Sequence, residues 1–182
     1  AATDVTLTST QHITTNGALT ATSGNVALTG GTDTGELVWT KQDVTASNNV
    51  TMSGAMLNID GNVTGTNAVS LTSTDYNYFN NAIDTAATKT IQGNTVSFLS
   101  TYGSTNQSSF ALNSNITANS LTINNATSAG DTTVAGNINN VSTLTLGNAR
   151  DFTYSGAQAL SLTSGLSYNS IGNISFTPNI TT

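Results

Sequence analysis

Apolar and small polar residues alternate along almost the whole chain, in runs that seldom exceed five residues. Val5-Thr6-Leu7-Thr8, Ala18-Leu19-Thr20-Ala21, Val26-Ala27-Leu28, Glu36-Leu37-Val38-Trp39, Val50-Thr51-Met52 and Met56-Leu57-Asn58-Ile59 set the pattern. Val69-Ser70-Leu71, Tyr76-Asn77-Tyr78, Val96-Ser97-Phe98, Phe110-Ala111-Leu112 and Leu121-Thr122-Ile123 continue it. Leu144-Thr145-Leu146, Phe152-Thr153-Tyr154, Leu160-Ser161-Leu162, Leu166-Ser167-Tyr168 and Ile174-Ser175-Phe176 close it. A period of two with one apolar face predicts half-buried strands. Strong helix formers are scarce, and Thr, Ser, Asn or Gly interrupts every window long enough for a helix. The expected class is all-β.

The clearest apolar pairs begin near Val5, Val26, Val50, Val69, Val96, Leu121, Leu144 and Leu166, at intervals of 19 to 27 residues. Most intervals hold two further apolar spots, such as Leu57-Ile59 and Val63 after Val50-Met52, or Tyr76-Tyr78 and Ile83 after Val69-Leu71. Three short strands per interval of about 23 residues predict a parallel β-helix of about eight coils, forming a single domain over residues 1–182. The competing arrangement is an antiparallel β-sandwich whose N-terminal strand, Thr3 to Thr10, is donated to a neighbour. The shortness of the strands, and the capacity of Asn and Thr to form side-chain ladders between stacked coils, favour the solenoid. Residues 80–89 (NNAIDTAATK) fit neither pattern, and their Ala content points to a helical turn or an insertion. Corners are expected at Asn16-Gly17, Gly30-Gly31, Asp60-Gly61, Gly136-Asn137 and Gly147-Asn148, residue types that tolerate a left-handed backbone.

Residues 14–31 (TTNGALTATSGNVALTGG), 49–73 (NVTMSGAMLNIDGNVTGTNAVSLTS) and 139–165 (NNVSTLTLGNARDFTYSGAQALSLTSG) resemble coils of filamentous-haemagglutinin-type adhesins, large bacterial surface exoproteins, many secreted by the two-partner pathway. The resemblance covers about two thirds of the chain. It implies a right-handed parallel β-helix used for attachment or scaffolding, and it carries over no active-site residues.

Composition sharpens the class. Charged residues make up 7% of the chain, against about 25% in ordinary soluble domains. Thr, Ser and Asn together supply 81 of 182 residues and must build the polar surface instead. One Pro and regularly spaced β-branched and aromatic residues argue against a disordered or mucin-like stalk. The basic residues Lys41, Lys89 and Arg150 are scattered against nine acidic ones, for a net charge of −6, which excludes electrostatic binding to nucleic acid or anionic lipid. No apolar run approaches the roughly 18 residues of a membrane span. The absence of Cys removes disulfides and thiolate metal sites. Scarce Lys and Glu, and a small-residue start at Ala1-Ala2-Thr3, point to export to the extracellular side or cell surface.

Catalytic provision is thin. His12 stands alone in a polar stretch, and no GxSxG, HExxH, Walker-type or GxGxxG motif occurs. Asp4, Asp33, Glu36, Asp43, Asp60, Asp75, Asp84, Asp131 and Asp151 are dispersed, so a glycosidase-like carboxylate pair would have to form across coils. Gly30-Gly31-Thr32-Asp33-Thr34-Gly35-Glu36 loosely resembles calcium coils, with Asp33 and Glu36 as the only candidate ligands. Eight Thr-x-Thr pairs raise an ice-binding face, and eight Asn-x-Ser/Thr sequons (Asn49, Asn62, Asn106, Asn115, Asn125, Asn140, Asn173, Asn179) raise glycosylation; both counts match what composition alone yields. No catalytic, cofactor-binding or metal residue is assigned, and no cofactor is expected.

The expected function is therefore a non-enzymatic extracellular structural protein: a surface adhesin, or a filament or matrix subunit that self-assembles through strand edges. Its expected partners are further copies of itself, head to tail, or surface and matrix components. A β-helical protein that binds or cleaves polysaccharide is the alternative, and an ice-binding solenoid the third.

Overall fold

The computed structural model describes residues 3–74, 81–101, 109–125, 130–147, 149–169 and 172–181. Among the described residues, twenty-four strands follow one another as eight three-stranded coils. The first four coils are β1 (Val5–Thr8), β2 (Ile13–Thr15), β3 (Leu19–Ala21); β4 (Val26–Thr29), β5 (Leu37–Thr40), β6 (Val44–Ala46); β7 (Asn49–Gly54), β8 (Met56–Ile59), β9 (Val63–Gly65); and β10 (Ala68–Ser73), β11 (Ile83–Thr85), β12 (Thr90–Gln92). The last four are β13 (Thr95–Ser100), β14 (Phe110–Leu112), β15 (Asn115–Thr117); β16 (Ser120–Asn125), β17 (Thr132–Val134), β18 (Ile138–Asn139); β19 (Thr143–Gly147), β20 (Phe152–Tyr154), β21 (Leu160–Ser161); and β22 (Gly165–Asn169), β23 (Ile174–Phe176), β24 (Ile180–Thr181).

Every third strand pairs, always in parallel. Sheet one runs β1-β4-β7-β10-β13-β16-β19-β22 and sheet two β2-β5-β8-β11-β14-β17-β20-β23. Sheet three runs β3-β6-β9-β12-β15-β18, after which β21 pairs only with β24. This is the parallel β-solenoid that the spacing predicts. The antiparallel sandwich is overturned: β1 is not a donated strand but pairs with β4 of its own chain, Val5 against Val26 and Leu7 against Leu28.

The eight residues singled out by spacing form one column of sheet one. Val5, Val26, Val50, Val69, Val96, Leu121, Leu144 and Leu166 stand in register from coil to coil. Two positions on, a second inward column runs Leu7, Leu28, Met52, Leu71, Phe98, Ile123, Leu146, Tyr168. Because successive side chains of a strand point to opposite faces, register puts like beside like, and the apolar columns of all three sheets merge into one core.

Two sequence expectations are corrected. Residues 81–89 make neither helix nor insertion: Ile83–Thr85 is an ordinary coil strand between β8 and β14, followed by a turn in which Thr88 has φ 65°. Residue 80 and the expected strand at 76–78 lie outside the described residues. Nor does any described member of the predicted Gly and Asn corners adopt a left-handed backbone, since positive φ occurs at Gly35, Thr88, Asn140 and Gly165. Those glycines answer a different demand.

Candidate functional site

The corners carry a recurring polar device. Gly24-Asn25, Gly61-Asn62, Gly136-Asn137 and Gly172-Asn173 each precede an inward apolar residue, and each sits directly above an Asp or Asn one coil earlier. Asp4 Oδ1 accepts from the Asn25 backbone N–H at 2.7 Å and from its side-chain amide at 3.1 Å. Asp43 does the same for Asn62 at 2.9 and 3.0 Å, and Asp151 for Asn173 at 2.8 and 3.1 Å. Asn115 Oδ1 accepts from the Asn137 N–H at 3.0 Å. A Cβ on any of the four glycines would collide with a backbone carbonyl of the coil beneath, that of Thr3, Gln42, Ser114 or Arg150. Glycine is needed for close approach of two backbones, and the Asx side chain then closes the corner.

This device absorbs much of the candidate chemistry. The Asp43 carboxyl is held below its ordinary pKa chiefly by the Asn62 backbone N–H, then by the Asn62 amide and the charge of Lys89. His12 occupies the equivalent corner of sheet two, where its Nδ1 accepts from the Leu37 N–H at 3.1 Å. Asp60 accepts from Trp39 Nε1 at 2.6 Å, with Lys41 Nζ 4.2 Å above the indole ring. Asp131 takes both Nε and Nη2 of Arg150 in a forked ion pair. Asp84 lies 3.4 Å from the Asn81 amide, and Asp75 lies outside the described residues.

The calcium-like stretch folds on itself. Glu36 Oε2 accepts from the Asp33 N–H at 2.9 Å and the Glu36 N–H donates to the Asp33 carbonyl at 3.0 Å, bracketing Gly35 at φ 91°. Among the described residues no three His, Cys, Asp or Glu side chains gather as a metal site. Of the sequons, Asn125 is buried, Asn62 and Asn173 serve the corner ladders, and Asn106 lies outside the described residues. The outward column of sheet one reads Thr6, Ala27, Thr51, Ser70, Ser97, Thr122, Thr145, Ser167, a line of hydroxyls with one gap. The Thr6/Thr8 and Thr143/Thr145 pairs are two positions out of step: Thr6 and Thr145 share this column, but the column of Thr8 ends on Gly147, so the pairs do not stack as pairs.

Two clefts adjoin along the edge between sheets three and one. One, of about 440 Å³, lies where β18 and β21 fail to pair and is lined by Asn139, Asn140, Ser142, Gln158 and Thr163 among others. The next, of about 350 Å³, shares Asn140 and adds Thr64, Gln92, Asn94 and Asn119. Neither contains a charged residue. A smaller cleft of about 140 Å³ has Asp84 as its single carboxylate, so none of the three brings two carboxylates together.

The ends of the stack differ from its middle. In the second inward column the six interior residues are buried, whereas Leu7 is 38% and Tyr168 64% exposed. The hydrophobic residues that only partly enter the core are Val5, Leu19, Leu166, Ile174, Phe176 and Ile180, all from the first and last coils. Local alternation could not reveal this, because Leu7 and Leu28 carry the same pattern. Only their places in the stack differ.

No protein-family model, curated protein or solved structure matches this chain. What the structure defines is the class, a parallel β-solenoid. No helix among the described residues is long and apolar enough to cross a membrane.

Proposed function

We propose that this chain is a non-enzymatic extracellular structural protein, an adhesin-type scaffold or filament subunit that acts through β-strand edges. The observation that carries the reading is the continuous parallel stack, whose polar side chains are spent on coil-to-coil ladders such as Asp4–Asn25, Asp43–Asn62 and Asp151–Asn173. Open parallel edges with apolar ends are templates for further strands. The engagement of most described carboxylates and of His12 in structural hydrogen bonds supports a role without catalysis. The charge-poor, hydroxyl- and amide-rich surface supports an extracellular setting, in keeping with the resemblance to filamentous-haemagglutinin-type coils.

Sedimentation velocity over a wide concentration range, with negative-stain imaging, tests this. Growing particles and fibres are expected, and a monodisperse monomer at high concentration overturns self-assembly. A second reading, binding of neutral polysaccharide, is favoured by the adjoining uncharged clefts that share Asn140. Glycan-array binding by a stable monomer, lost on substitution of Asn140 and Gln158, would decide for it.

A further inference from the structure

Sheet three breaks inside the stack. β15 pairs with β18 and β21 with β24, but β18 and β21 share no ladder. Ile116 and Ala118 donate to the carbonyls of Asn137 and Asn139, so the backbone groups of Ile138 and Asn140, which alternate with those, face the other way, towards β21. Leu160 and Leu162 donate to the carbonyls of Asn179 and Thr181, which leaves the N–H and carbonyl of Ser161 facing β18. Side chains close one end of the break: Tyr154 Oη bridges the Ile138 N–H and the Gln158 carbonyl, and Asn137 Oδ1 accepts from the Gln158 N–H at 3.1 Å. Among the described residues no hydrogen bond joins Asn140 to Ser161. The cleft of about 440 Å³ lies there.

The cleft wall both donates and accepts, and none of it is charged. Asn139, Asn140, Ser142, Gln158 and Thr163 add amides and hydroxyls to the backbone groups that the break leaves open. Asn140 holds φ 60°, a left-handed backbone that few side chains tolerate, and it lines the neighbouring cleft as well. From the break that second cleft follows the outward column of sheet three. Asn139, Thr117, Gln92 and Thr64 stand there in register over four coils, roughly 14 Å along the axis. Such a lining suits a ligand covered in hydroxyls, each able to donate and to accept. A polyanion would meet a chain of net charge −6 with no cation in either cleft. An inserted peptide strand does not fit either, because β16 pairs with β19 and β17 with β20 and so hold the two coils one strand spacing apart, whereas a strand partnered on both sides needs about twice the usual 4.8 Å.

We infer that the break in sheet three anchors one sugar of a neutral, extended glycan between Asn140 and Ser161, and that the glycan chain continues along the solenoid axis over Thr117, Gln92 and Thr64. This rests on the polysaccharide-binding reading above and gives it a site and a direction. The straight column of sheet three calls for an extended chain rather than a coiled one.

Cello- and chito-oligosaccharides of increasing length, titrated by calorimetry into the full chain with heparin as the anionic comparison, test it. Affinity should rise with length until the column is covered, and heparin should not bind. Asn140→Gly keeps the left-handed backbone while removing the amide, so it should melt as the parent does and bind every length about tenfold more weakly. Ser161→Pro removes a donor that serves no ladder and should weaken binding to a similar extent. Gln92→Ala should weaken only the longer oligosaccharides, because a short one sits in the break and does not reach β12. Glycan binding that ignores all three substitutions, or a Gln92→Ala loss already present at the shortest length, overturns this site and leaves the polysaccharide reading standing. If no neutral oligosaccharide binds, or heparin binds as tightly, the two fall together.

Discussion

The buried hydroxyl of Tyr154 accepts a hydrogen bond from the Ile138 backbone N–H at 3.3 Å, and it donates in turn to the Gln158 carbonyl at 3.0 Å. It thereby stands in for a ladder bond where sheet three is interrupted between β18 and β21. Its column of sheet two otherwise holds Thr15, Thr40, Ile59, Thr85, Leu112, Val134 and Phe176. A tyrosine there reaches across the core, and Gly156 makes room for it, since a Cβ at 156 would lie 2.7 Å from the ring and from the hydroxyl. Phe176 packs edge-on against the same ring at 6.2 Å.

Tyr154→Phe should therefore destabilise the fold by about 1–3 kcal/mol, because a buried N–H and a carbonyl lose their shared partner while the ring stays. Urea unfolding measures this. An unchanged midpoint would mean that β18 and β21 close the gap by themselves.

Gly136→Ala should cost more than its exposure suggests, about 2 kcal/mol or above, since the new methyl meets the Ser114 carbonyl and pushes Asn137 away from Asn115. Comparison with Gly17→Ala, where a Cβ meets nothing within 4 Å, isolates the cause. Chain entropy alone would make both variants slightly more stable, so equal losses at both sites would remove backbone approach as the cause.

Thr40 is fully buried and its Oγ1 has no hydrogen-bond partner. Thr40→Val replaces that hydroxyl with a methyl of nearly the same shape, so a gain of about 1 kcal/mol is expected in thermal or denaturant unfolding. A loss would show that the hydroxyl is satisfied in solution.

Asp43 has a folded pKa below the ordinary value of 3.8. Acidification through that range protonates the unfolded chain first, so the contribution of Asp43 is present above pH 4 and fades as pH falls through the lower folded value. The group is exposed and the effect is small. Asp43→Asn keeps an acceptor for Asn62 but cannot titrate, so its stability should fall less steeply than the parent's below pH 4. Parallel acid profiles would remove Asp43 from the pH dependence.

The alternation of apolar and polar residues, by itself, determined the strand class, the coil count and the inward columns of sheet one, because the period-two pattern is a local property of each strand. It was weaker for β6, β12, β15 and β17. A strand such as Asn115–Thr117 buries only Ile116 at its centre and offers no alternation to see. Residues 81–89 misled because Ala content carries a helical signal that inter-coil pairing overrides. The corner device was present as repeated Gly-Asn pairs, but its meaning depends on Asp or Asn residues 19 to 22 positions earlier. Coil lengths vary from 19 to 27 residues, so no fixed spacing reveals those partners. Which Val or Leu is buried and which lies open at an end was decided only by stacking, since burial in a solenoid depends on having a coil on both sides.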